Sequence, residues 1–207
     1  MRELSIPFIE SLVRLGDEPG LLAIRDVSPS GKVPCLVDDQ LVVWDSLAIV
    51  EYLAERHEYV WPSDAKARAW ARSAAAEMHS GFSELRERCT MNCGISIRLD
   101  SLTLPLALEL ARLNELWSEG LAKFGGPFLA GDQFTAVDAF YAPVAFRVKT
   151  YGLEMELASM QYLARLLELK SMQEWLAAAL KEPWRNEPHE AEARSAGTWI
   201  EDRRAVL

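Results

Sequence analysis

SPSGKVPCLVDDQLVVWDSLAIVEYL, residues 28–53, is the stretch on which the reading of this chain turns. A loop rich in Ser, Pro and Gly runs into Val33-Pro34. Two short runs, Cys35–Asp38 and Leu41–Trp44, then flank a polar turn, the pattern of an antiparallel hairpin. Asp39-Gln40 is a poorer turn pair than Asp-Gly, which favours a loop longer than two residues. From Asp45 the period changes: Leu47, Val50 and Leu53 recur at three-residue steps, so a helix is expected from Asp45 to near His57. Asp45 and Ser46 can each cap that helix. They can equally hold a charged ligand there, because free N–H groups and a partial positive charge at a helix start favour a carboxylate.

Outward from this stretch the chain divides in two. Residues 6–14 alternate β-branched and aromatic residues with polar ones and predict a strand; residues 15–33, punctuated by Gly16, Pro19, Gly20, Pro29 and Gly31, predict a loop with one helical turn. Beyond the break at Trp61-Pro62-Ser63-Asp64 the strand signals stop. Helices are expected over 65–90, 102–124, 135–148, 155–168 and 171–182, and 183–207 reads as a Pro-, Glu- and Arg-rich C-terminal tail with Trp199 as a docking point. Thr135 followed by Asp138 is a capping-box pair, a structural role whose loss costs roughly 0.5–2 kcal/mol.

Composition narrows the function classes. The 207 residues are 50% apolar and carry a net charge of −9, so no basic patch for nucleic acid or an anionic membrane is expected. No apolar run approaches the roughly 20 residues of a membrane span, and the start has no signal-peptide core. Three cysteines suit a reducing cytoplasm better than a disulfide framework. Cys89 and Cys93, four apart, could share a helix face, but a metal site needs further ligands that the sequence does not offer. Arg86 and Arg88 suit solvent or a subunit interface.

Three motifs, Val33-Pro34, Asp45-Ser46 with the following Leu-Ala-Ile, and FLAGDQFTAVD over 128–138, stand in the order and spacing of the cytosolic glutathione S-transferases, and the chain resembles that family over most of its length. Glu77-Met78-His79 is most similar to zeta-like bacterial members, some of which are maleylacetoacetate isomerases. The resemblance implies an α+β fold: a truncated thioredoxin-like, glutathione-binding N-terminal domain over 1–60, an all-helical C-terminal domain over 64–182, and the tail over 183–207. It also implies a homodimer, with helices of 65–90 supplying much of the surface.

Glutathione, as co-substrate, would then meet Val33 through a short backbone pairing presented by a cis Pro34. Its γ-glutamyl carboxylate would meet Ser46 and the amides beside it, its ammonium Asp45, and its glycyl carboxylate Lys32. His79 becomes a candidate for lining the pocket of a small electrophilic substrate. The family's thiolate-stabilising Ser, Cys or Tyr sits on a strand and helix that precede residues matching Met1–Leu4, so no catalytic residue is nominated. Losing a central strand is costly, which favours a natural chain that starts upstream of Met1. The activity expected is conjugation or isomerisation with glutathione; the competing reading is a non-catalytic binding or scaffold protein with the same fold.

Overall fold

The computed structural model describes residues 1–15 and 17–204. A single 3-10 turn at Arg2–Leu4 opens the chain. Ile6 turns inward, but Ile9 and Leu12 face solvent and residues 6–14 form no strand. An extended segment becomes a strand only against a ladder partner, and none lies beside it among the described residues. The expected strand is therefore a segment without regular secondary structure. Gly16, part of the predicted loop, lies outside the described residues.

Where one turn was expected, α1 runs over Glu18–Val27. Pro19 and Gly20 read as breakers, yet proline is favourable in a first turn and Asp17 caps this one, accepting from the Gly20 N–H at 2.9 Å. Gly20 is required by a close approach: a Cβ there would sit 1.9 Å from the Arg14 carbonyl oxygen.

Strands β1 (Leu36–Asp38) and β2 (Leu41–Val43) pair antiparallel with Leu36 opposite Val43 and Asp38 opposite Leu41. The loop is thus two residues, shorter than the turn pair suggested, with Asp39 in the left-handed region at φ 53°. Helix α2 follows at Ser46–Ala54 and packs against α3, Ala65–Ser80. The predicted long helix over 65–90 is broken: Phe82 takes φ 56°, and α4 is the short Ser83–Arg88. Cys89 and Cys93 consequently lie beyond α4 rather than on one helix face. Both are buried free thiols, and burial pushes Cys89 up to about 12.

The helical unit continues with α5 (Leu104–Phe124), α6 (Ala136–Tyr151), α7 (Leu157–Glu168) and α8 (Lys170–Leu180). Small buried residues on α3, namely Ala67, Ala71, Ala74 and Ala75, let α6 pack closely on it. At the centre the Trp117 ring meets Tyr141 and Tyr162 at 5.5 and 5.2 Å, in edge-on geometry. Tyr141 donates to the Ala74 carbonyl at 2.9 Å.

The region read as an all-helical domain with a tail contains a second sheet. Strand β3 (Ile95–Leu99) pairs antiparallel with β4 (Gly197–Asp202), and α9 (Glu187–Ala196) leads into β4. Ile95 and Ile97 are buried and Trp199 packs on the core, so a short strand for which no expectation was stated is held by tertiary burial. Arg204, its side chain largely buried, bonds Glu190 through both terminal guanidinium nitrogens and also meets Asp202. Residues 205–207 lie outside the described residues.

Candidate functional site

The hairpin register sets the geometry of the site. With Leu36 opposite Val43, the residues just before β1 and those just after β2 emerge at the same end of the ladder. Val33-Pro34 and Asp45-Ser46 are therefore brought to one edge although a dozen residues separate them. The Val33-Pro34 peptide is cis, and Val33 is 51% exposed. Lys32 beside it is exposed, its backbone N–H donating to Ser30 Oγ at 3.3 Å.

Asp45 is the N-cap of α2. Its backbone is extended and its Oδ1 accepts from the Leu47 N–H at 3.0 Å, while its carbonyl takes the Ile49 N–H at 2.8 Å. The amides of Ser46 and Ala48 have no partner within the helix. No acidic residue occupies the first turn of α2 to offset its positive end. Ser46, half-buried at the first helical position, adds a hydroxyl beside those amides. Together these groups offer N–H and O–H donors for one carboxylate and an acceptor for one ammonium. An α-amino acid head group carries that pair.

His79 was expected beside a second substrate; its observed neighbour is Asp45, with Nε2 3.0 Å from Oδ2. His79 lies in the last turn of α3, and the ring of Phe140 on α6 stands edge-on to it at 6.3 Å and 90°. Arg86 donates to the carbonyls of Met78 and, at 3.4 Å, His79, tying α4 to the end of α3. The contact between His79 and Asp45 carries no spacing signal in the sequence, since 34 positions separate the two.

Two concavities lie elsewhere. One of about 460 Å³ is lined by Tyr59, Trp61, Asp64, Phe124, Asp132 and Gln133. The other, of about 440 Å³, lies between Met1, Phe8 and the faces of α6 and α8 that carry Ala142 and Trp175. Neither includes any residue of the hairpin edge, so the polar groups at Asp45-Ser46, and not concavity, mark the candidate site.

The Thr135–Asp138 pair is as expected a capping box, but sequence reasoning missed most of its partners. Asp138 is wholly buried and accepts from Thr135 N at 2.9 Å, Leu129 N at 3.1 Å and Tyr162 Oη at 3.0 Å. Burial pushes its carboxyl up to about 6 despite those donors. Leu129 belongs to the same 128–138 motif and could have been suspected; Tyr162, on another helix, could not.

Fold and site together define a two-part protein: a hairpin–helix unit with a polar edge at Val33-Pro34 and Asp45-Ser46, and a helical unit behind it. The family description "Glutathione S-transferase, N-terminal domain" matches residues 1–56, and "Glutathione S-transferase, C-terminal domain" matches residues 68–179. The chain belongs to the glutathione S-transferase family. Among its relatives, a probable maleylacetoacetate isomerase of Caenorhabditis elegans is 28% identical over 152 residues, 69% of this chain and 68% of that protein. A glutathione transferase homologue from Burkholderia, solved with bound glutathione, superposes with a TM-score of 0.60 at 24% identity, over 86% of each chain. A maleyl pyruvate isomerase, described as a bacterial zeta-class glutathione S-transferase, superposes with a TM-score of 0.65 at 21% identity over 87% of this chain and 89% of its own.

Proposed function

We propose that this protein binds glutathione at the hairpin edge and uses its thiol to conjugate or isomerise a small electrophile. The observation that carries the reading is the register that brings Val33-Pro34 and Asp45-Ser46 to one end of the hairpin, beside the unpaired amides of α2. The γ-glutamyl carboxylate sits on Ser46 and those amides, where a helix start stabilises negative charge. Its ammonium meets the Asp45 carboxylate. The cysteinyl backbone pairs with Val33 as a one-residue strand addition, and Lys32 faces the glycyl carboxylate. Held at both ends, the peptide presents its sulfur at a fixed place, and the reacting species is the thiolate.

The relatives that are named isomerases support a zeta-like member. A homodimer in the cytoplasm, paired through the region of α3 and α4, completes the reading. Among the described residues no helix is long and apolar enough to cross a membrane.

The test is retention on immobilised glutathione, elution by free glutathione, and turnover of an activated aryl halide in its presence. Retention with turnover is the expected result; retention without turnover leaves a binding protein, and loss of both overturns the assignment. Light scattering should give about twice the chain mass of 23.3 kDa, and a single-chain mass at micromolar concentration would refute the dimer.

A further inference from the structure

The pairing of His79 with Asp45 joins the two halves of the molecule at the peptide site, and we infer that His79 is the positioning residue for the carboxylate that receives the γ-glutamyl ammonium. The inference rests on the glutathione reading of Asp45-Ser46 and adds to it a residue from the helical unit.

Asp45 has two carboxylate oxygens with different duties. Oδ1 is committed to the Leu47 N–H, 3.0 Å away, and this bond alone leaves the carboxylate free to pivot about it. His79 Nε2, 3.0 Å from Oδ2, fixes the second oxygen and so sets the plane of the group. A carboxylate oxygen has two lone-pair directions, so an Oδ2 that accepts from His79 still has one to offer an ammonium.

His79 is itself constrained. Its helix is closed at this end by the Gly81 N–H, which donates to the Glu77 carbonyl at 2.8 Å. Phe140 stands edge-on to the imidazole from α6, and Arg86 of α4 holds the backbone carbonyls at the same turn. Elements of the helical unit therefore fix the ring that fixes Asp45. A plain surface ion pair would not need this support, and in solvent it would contribute little.

Calorimetry on the intact chain tests this with two probes. One is glutathione; the other is the analogue in which hydrogen replaces the γ-glutamyl amino group, leaving its carboxylate. His79→Ala should weaken glutathione by about tenfold, the scale of one hydrogen bond to a charged group. It should leave the analogue within about twofold, since the analogue never uses Asp45. His79→Gln, whose amide can donate to Oδ2, should recover most of the lost affinity, and thermal melting of each variant verifies folding. Equal binding of glutathione by wild type and His79→Ala would overturn the inference. So would an equal loss for both probes, which marks a purely structural role. A wild-type chain that binds neither probe would instead refute the glutathione reading beneath it.

Discussion

Asp45 and Asp138 are the same residue type used at the start of two helices, and their surroundings give them opposite duties. Asp45 stands at the N-cap of α2, half open to solvent, with one backbone donor and His79 as its partners. Asp138 stands three residues into the cap of α6, sealed from water, with donors from Thr135, Leu129 and Tyr162 around it. A carboxylate with unused acceptor capacity in reach of solvent can take a ligand. One whose oxygens are filled from three separate elements can only hold those elements together. Burial and valence, more than residue type, distinguish a site from a structural joint.

The largest effect expected from this contrast is at Asp138. Asp138→Ala strands buried donors on three elements, so it should destabilise the fold by about 3 kcal/mol, beyond the cost of a lost cap alone. For a chain of this length that is a fall of roughly 6–12 °C in melting temperature. Glutathione affinity, measured well below the transition, should hardly move. A selective loss of affinity at unchanged melting would reverse the roles assigned to the two acids.

Ser46→Ala should do the converse. It removes a hydroxyl from the carboxylate subsite and leaves the amides of α2, so affinity should fall by about ten- to a hundredfold. Melting should shift by no more than about 2–4 °C. Calorimetry and a melting curve on the same sample separate the two effects.

The pH dependence offers a finer test. In the native state the Asp138 carboxyl is raised from 3.8 to about 6 by burial, so the folded chain holds this proton more tightly than the unfolded chain does. The stability it contributes is fully present below about pH 4 and is lost as the pH rises through about 6, a change on the order of 3 kcal/mol. Denaturant titrations at pH 4.5 and 7 should show this component in the wild type and not in Asp138→Asn. An identical pH dependence in both would place the proton elsewhere.

The smallest effect belongs to Lys32. An exposed lysine facing an exposed carboxylate is worth less than about 1 kcal/mol, so Lys32→Ala should weaken glutathione less than about fivefold. The deficit should shrink further at high salt, which screens such pairs. A salt-independent loss of tenfold or more would mean that Lys32 is drawn into a drier site than the loop suggests.

Much of the helical unit was legible because its apolar residues recur at helical spacing: α5, α6, α7 and α8 lie within a few residues of the bounds that Leu106, Leu110, Leu113 and their counterparts imply. The hairpin and the Asp45 cap were legible for a local reason, since turn, strand and cap chemistry are all written within a few positions. What stayed hidden depended on distant partners. Residues 6–14 have the composition of a strand but, among the described residues, no ladder partner. Ile95–Leu99 does alternate apolar and polar residues, but it is short, and the partner that makes it a strand, Gly197–Asp202, lies far along the chain. Likewise Pro19 and Gly20 looked like interruptions until Asp17 and the Arg14 carbonyl showed why they suit the start of α1. Of the candidate site, the residues on the hairpin edge were readable; the contact between His79 and Asp45 was not, because it is made by two helices meeting.

The β3–β4 ladder also sets an order of events during synthesis. Strand β3 ends at Leu99 and its partner begins at Gly197, so the second sheet cannot close until synthesis has passed through Gly197–Asp202. Such a distant pairing is slow to find, because the intervening loop must first be ordered. Until then the emerging chain carries an open strand edge of the kind that invites association between neighbouring nascent chains. For anyone producing this protein, a stop codon or a bulky fusion placed just ahead of Gly197 would turn that passing exposure into a permanent one.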